Sequence, residues 1–96
     1  MLDFLFRKRL NQEHKLAAVR VAKDAWAKSN GDKALFEQLV KEDQRTKMID
    51  PMLIVLFIKL AMAVWDYFKN RNASVSAVVG EDDEAVILGA VRYYKG

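Results

Sequence analysis

The run from Met52 to Trp65 contains one charged side chain, that of Lys59. Asp50 and Pro51 precede this run, and they are the residue types favoured at a helix N-cap and at the first helical position. A helix that is apolar around nearly its whole circumference must be enclosed by other helices or placed in lipid. The sequence therefore predicts a helix over residues 50–70 whose surroundings decide the nature of the protein.

Lipid and protein are both possible surroundings for this helix. A membrane span needs ~20 predominantly apolar residues, and the stretch 49–68 has that length. On insertion scales the apolar side chains contribute about −4 kcal/mol, which a central Lys59 offsets by about +3 kcal/mol. In a protein core, Lys59 and Asp66 would instead form a narrow exposed polar stripe. The candidate membrane or core residues are Leu53, Ile54, Leu56, Phe57, Ile58, Leu60, Val64 and Trp65.

Two amphipathic helices are predicted before this segment, and they form a helical hairpin over residues 13–47. Asn30 and Gly31 separate them, because both residue types tolerate the left-handed backbone that ends a helix. Asp32 can cap the second helix, which we expect to run to about residue 47. Small side chains and one tryptophan on the first helix permit close helix contact, so we expect self-association there, through Ala18, Ala22, Ala25 and Trp26.

The pattern changes in the C-terminal segment, residues 72–96. Residues 74–79 are compatible with a short extended piece or a loop. The acids at 81–84 favour a helix start, because negative charge stabilises the N-terminal end of a helix. A β-hairpin over residues 74–94 is the alternative. The chain is thus predicted to be a single, mainly α domain with a helical hairpin, a long apolar central helix and a C-terminal helix.

The composition offers little for catalysis. Without cysteine there is no disulfide, thiolate metal site or cysteine nucleophile. His14 is the one histidine, and it has no nucleophile and orienting acid in a recognisable local pattern. The acids at 81–84 lack the spacing of a calcium-binding loop. We therefore expect a non-enzymatic protein with no cofactor, no metal and no small-molecule substrate.

The first ten residues form an apolar and basic segment in which Arg7, Lys8 and Arg9 follow a cluster of Leu and Phe. A secretory signal has its positive charge first, so we expect no cleaved export signal. Such a segment can enter a membrane interface or pack on the protein's own core. Nucleic-acid binding through the basic residues is a third hypothesis, although a net charge of +3 is too small to require it.

Asp50-Pro51 before an apolar helix, together with the exit Trp65-Asp-Tyr-Phe-Lys69, resembles small membrane-associated proteins encoded by bacteriophages. The resemblance covers about twenty residues, and Lys59 departs from it. It implies a virion or host-membrane setting and assigns no functional residue. The leading hypothesis is a membrane-associated structural or scaffolding protein. The alternative is a soluble, cytoplasmic helical bundle that acts as an adaptor or oligomer subunit.

Overall fold

The computed structural model describes residues 9–94, and within this range the chain is helical with no strand, as the sequence predicts. The helices are α1 (Gln12–Ser29), α2 (Lys33–Glu42), α3 (Gln44–Lys47), α4 (Pro51–Asn70), α5 (Val75–Gly80) and α6 (Asp83–Ala90), and a 3₁₀ turn follows at Val91–Tyr93. The alternative β-hairpin over residues 74–94 is therefore wrong. The predicted N-terminal segment lies almost wholly outside the described residues, including Arg7 and Lys8.

Local sequence explains where the main helices begin. The side-chain oxygens of Asn11, Asp32 and Asp50 accept hydrogen bonds from the backbone N–H groups at the starts of α1, α2 and α4, at 2.8, 3.2 and 2.9 Å. Asn30 and Gly31 have φ values of 51° and 84°, and this left-handed backbone ends α1. The predicted start of α4 at Asp50-Pro51 is confirmed.

The predicted second helix is interrupted at Asp43, so its expected continuation to residue 47 is wrong. The backbone of Asp43 is extended, with φ −66° and ψ 137°. Its carboxylate accepts from the backbone N–H of Arg45 at 2.8 Å and caps the short helix α3. An aspartate can offer the backbone such an alternative to the helical hydrogen bond, which explains the break.

Helix α4 is the centre of the fold and contacts α1, α2, α3, α6 and the 3₁₀ turn. Its buried residues are Phe57, Leu60, Ala61, Ala63, Val64, Trp65 and Phe68. The alanines predicted to mediate self-association, Ala18, Ala22 and Ala25, are buried within the same chain. The expected interaction face at these alanines is therefore wrong, because the neighbouring helices of this chain already cover the small side chains. Self-association through another surface stays a prediction.

An aromatic cluster joins α1, α2 and α4. The Trp26 ring centroid lies 4.9 Å from that of Trp65 and 5.4 Å from that of Phe68, and both pairs are edge-to-face. The Phe36 ring lies 4.8 Å from Trp65. Trp26 is half-buried, and it belongs to this cluster rather than to a free interaction face.

The C-terminal helices pack on α4 through Tyr67. A Cβ atom at Gly89 would overlap the Tyr67 ring, so a residue without a side chain is required for this close approach. The Arg71 guanidinium lies 4.8 Å from the centre of the same ring, on its face. The Asn70 side chain donates to the Tyr93 hydroxyl at 2.7 Å. The close approach of Gly89 to Tyr67 and the Asn70–Tyr93 hydrogen bond hold the C-terminal helices against the final turns of α4.

Candidate interaction surface

The exposed side of α4 is a stripe that changes from apolar to polar along the helix. Met52, Val55 and Lys59 are exposed at spacings of three and four residues, and Asp66 continues the stripe half-buried. Ala63, which the sequence places on the same stripe, is buried. Asp66 lies beside Lys33 of α2, with 3.8 Å between Oδ1 and Nζ, so its ion pair is not with Lys59.

Burial is uneven along the segment that the sequence singles out. Phe57, Leu60, Val64 and Trp65 are buried, and they belong to the part of α4 that the other helices enclose. The remaining predicted residues are only partly buried and lie mostly in the first two turns: Leu53, Ile54, Leu56 and Ile58. The N-terminal end of α4 is therefore the less covered end.

At that end lies a group of exposed apolar side chains, which we call the methionine face: Met48, Met52 and Val55. Their exposed fractions are 83%, 55% and 59%. Met48 belongs to the short connection between α3 and α4, so it lies at the same end of the bundle. Clustered exposed apolar side chains are typical of surfaces that bind another molecule.

Two lysines border the methionine face. Lys47 directly precedes Met48, and Lys59 follows Val55 by one helical turn; both are exposed. No carboxylate in residues 9–94 forms an ion pair with either ammonium group. Asp50 is the one acid between residues 47 and 65, and its carboxylate caps α4.

A second polar cluster lies in an open groove between α1 and the start of α6. Asp83 accepts from Lys23 Nζ at 2.6 Å and from Arg20 Nε at 3.1 Å. Lys23 also donates to the backbone carbonyl of Glu81. The Glu81 carboxylate accepts two hydrogen bonds from Arg71, at 2.6 and 2.8 Å.

The sequence explained the acids at 81–84 by helix electrostatics, and this is only part of their role. Asp82 does cap α6, accepting from the backbone N–H of Ala85 at 3.1 Å. Asp83 and Glu81 instead bind cations that lie far from them in the sequence. Pairing over such separations leaves no local sequence signal, so sequence reasoning missed it.

Hydrogen bonds from neighbouring cations lower the pKa values of two acids, Asp83 and Asp43. Burial raises the pKa of Asp83, but hydrogen bonds from Lys23 and Arg20 outweigh this effect and bring the pKa below its ordinary value. Hydrogen bonds from Arg45 lower the pKa of Asp43 in the same way. The Arg45 guanidinium also binds Asp24 at 2.6 Å. The groove is thus a network of paired charges.

Acid should weaken the fold through these carboxylates. Their folded pKa values lie below the unfolded value of about 3.9, so their stabilisation is complete above that pH and is lost as the pH falls through the folded pKa values.

Asp83→Asn should lower the free energy of unfolding at neutral pH by about 1–2 kcal/mol; the loss is moderate because the site is partly exposed. Urea titrations at pH 7 and near pH 2 measure the difference in free energy of unfolding between the parent and Asp83→Asn, and this difference should be smaller at the lower pH. Glu84→Gln, at an exposed neighbour without an ion pair in residues 9–94, is the control. A difference that does not change with pH would contradict this assignment.

The described residues offer no metal site: no group of three or more His, Asp or Glu side chains within 9–94 is placed to hold an ion. His14 is half-buried at the start of α1, and its Nδ1 atom is enclosed without a hydrogen-bond partner there. The buried hydroxyl of Thr46 likewise has no partner in that range.

Comparison with protein-family models, with curated proteins and with solved structures finds no match to this chain. Within residues 9–94, α4 is the helix whose length and composition would let it cross a membrane. The same properties suit the central helix of a bundle, which is its position here.

Proposed function

We propose that this chain is a non-catalytic structural or scaffolding protein that attaches to a membrane surface through the methionine face. The observation that carries the proposal is the joint exposure of Met48, Met52 and Val55 at one end of the bundle. Apolar side chains gain roughly 25 cal/mol for each Å² that they remove from water. Burial of these three side chains at a membrane surface would therefore be favourable and would require no change in the fold.

Peripheral attachment fits the packing of α4 better than a transmembrane position. To cross a bilayer, α4 would have to leave the cluster that joins Trp65 and Phe68 to Trp26 and Phe36. It would also carry Asp66 into lipid without Lys33. Both losses are avoided when only the exposed end of the helix meets the membrane surface.

The likeness of residues 50–69 to small membrane-associated bacteriophage proteins agrees with this proposal. It suggests a virion or a host membrane as the setting. In such a setting the rest of the bundle would stay outside the lipid, where its outer surface would meet other structural proteins.

The second candidate function is a soluble adaptor or oligomer subunit, and a different surface favours it. Leu88 and Val91 lie three residues apart and have exposed fractions of 74% and 57%. They belong to the C-terminal helices, which pack on the far end of α4 through Tyr93 and Asn70. A protein partner or a second copy would be expected to bind there. The third hypothesis, nucleic-acid binding, gains less support, because Arg20, Lys23 and Arg45 are engaged by acids.

Vesicle flotation of the full chain distinguishes these candidates. We expect the protein to float with lipid vesicles, and the double variant Met52→Ser/Val55→Ser to lose at least about tenfold in partition coefficient, because two exposed apolar groups no longer enter the interface. The matched control is Leu88→Ser/Val91→Ser, which removes similar exposed groups at the other end and should bind like the parent. Circular dichroism should show both variants folded.

Failure of the parent to float would contradict membrane attachment. Loss of flotation in the control variant alone would move the binding surface to the C-terminal helices. Loss of a dimer in that variant, with no flotation in any sample, would favour the oligomer subunit.

A further inference from the structure

We infer that the methionine face binds bilayers with anionic headgroups, and that Lys47 and Lys59 recognise them. This inference rests on the proposed membrane attachment and adds the class of lipid. It starts from the position of two cations relative to exposed apolar side chains: Lys47 adjoins Met48, and Lys59 lies on the Met52–Val55 stripe of α4.

A lysine next to exposed apolar side chains suits a membrane interface. A lysine can lay its aliphatic stem along an apolar surface while its ammonium group stays in the polar layer. With Met52 and Val55 in the acyl region, the ammonium groups of Lys47 and Lys59 would lie at the depth of the phosphates. Neither group would have to break an ion pair in the described part of the chain before it bound a phosphate.

The segment 47–59 carries two lysines and one acid. Asp50 is the acid nearest in sequence, and its carboxylate already accepts the backbone N–H of Met52 at 2.9 Å. By contrast, the cations in the α1–α6 groove, Arg20 and Lys23, are paired with Asp83. The unpaired charges beside the methionine face are thus the ones placed to act together with its apolar side chains.

The size of the face argues for lipid rather than an acidic protein. A stable protein interface buries about 800 Å² on each partner, and the three side chains of the methionine face supply much less. The exposed stripe of α4 also offers no side-chain hydrogen-bonding group other than the Lys59 ammonium ion until Asp66. A bilayer needs no matching shape or hydrogen-bond pattern, and each cation near its surface contributes independently.

The test is flotation of the full chain with phosphatidylcholine vesicles and with vesicles that also contain about 30% phosphatidylglycerol. We expect tighter binding to the anionic vesicles, weakened when salt is raised from about 0.1 to about 1 M. Lys47→Gln/Lys59→Gln should lower the partition coefficient on anionic vesicles by about fivefold per lysine. On neutral vesicles the same variant should bind like the parent. Lys28→Gln/Arg92→Gln, which removes two exposed cations outside the face, is the matched control.

Equal binding to both kinds of vesicle, or equal losses in the two double variants, would overturn the lipid selectivity and leave membrane attachment intact. Binding to neither kind of vesicle would overturn the proposed function itself. A dimer in sedimentation that Met52→Ser abolishes would show that a second copy occupies the face, and it would overturn both.

Discussion

Val64→Asp should unfold this protein, whereas Val55→Asp should leave it folded. The two valines lie in the same helix, α4, and their chemistry is identical. Val64 is completely buried, while Val55 has an exposed fraction of 59%. A carboxylate at position 64 would be enclosed without a cation, which costs at least about 3 kcal/mol and is comparable with the whole stability of a small domain.

This pair of variants separates a protein core from a membrane span. In a helix crossing lipid, both positions would lie in the hydrocarbon region, and an aspartate at either one would carry a similar insertion cost of about 3 kcal/mol. In the bundle the two costs differ widely, because the surroundings of α4 change along its length.

Far-UV circular dichroism and urea titration of the purified variants give the comparison. Val55→Asp should keep the parent's helical signal, and its free energy of unfolding should differ from the parent's by less than about 0.5 kcal/mol. The neutral variants Val64→Asn and Val55→Asn show how much of the effect comes from charge. Equal stabilities of Val64→Asp and Val55→Asp would contradict the assignment of α4 as the central helix.

Trp65→Ala is expected to have the second-largest effect, a loss of about 3–5 kcal/mol in the free energy of unfolding. Trp65 is 3% exposed, and its ring contacts both Trp26 and Phe36. Its removal would leave a cavity where α1, α2 and α4 meet and would cost the edge-to-face contacts as well.

Urea unfolding followed by circular dichroism measures this loss. Trp65→Phe is the graded control, since a smaller ring keeps part of the aromatic contact. Its free energy of unfolding should lie between those of Trp65→Ala and the parent. Met48→Ala removes a large side chain that is 83% exposed, and it should change stability by less than about 0.5 kcal/mol. A cost below about 1 kcal/mol for Trp65→Ala would mean that the three helices do not depend on this cluster.

Helix ends are the part of the fold that the sequence predicts best. Asp50 and Pro51 start α4, and Asn30 and Gly31 end α1, because the hydrogen bonds and backbone angles involved lie within a few residues of one another. The break at Asp43 was missed although its cause is equally local. A single aspartate within an otherwise regular helical pattern is more often a surface residue than a cap. Here the Asp43 carboxylate accepts from both the backbone N–H and the side chain of Arg45, and this contact stabilises the break.

The candidate surface could be predicted only in part. The spacing of Met52, Val55 and Lys59 was visible in the sequence, but a helix that is apolar on every side gives no indication of which side stays open. The same limitation explains the alanines of α1. Their small size predicted close packing correctly, while the helices that pack against them are known only from the tertiary structure.

The sequence is enough to predict that this chain forms helices, where the long ones begin, and that one of them needs apolar surroundings. Those properties follow from hydrogen bonds and side-chain periodicity over a few residues. Three features are visible only in the folded protein: the enclosed face of α4, the binding of Lys23 by Asp83, and the exposure of the methionine face. Each of these outcomes depends on contacts between residues far apart in the chain, and packing free energies of that kind are summed over the whole molecule.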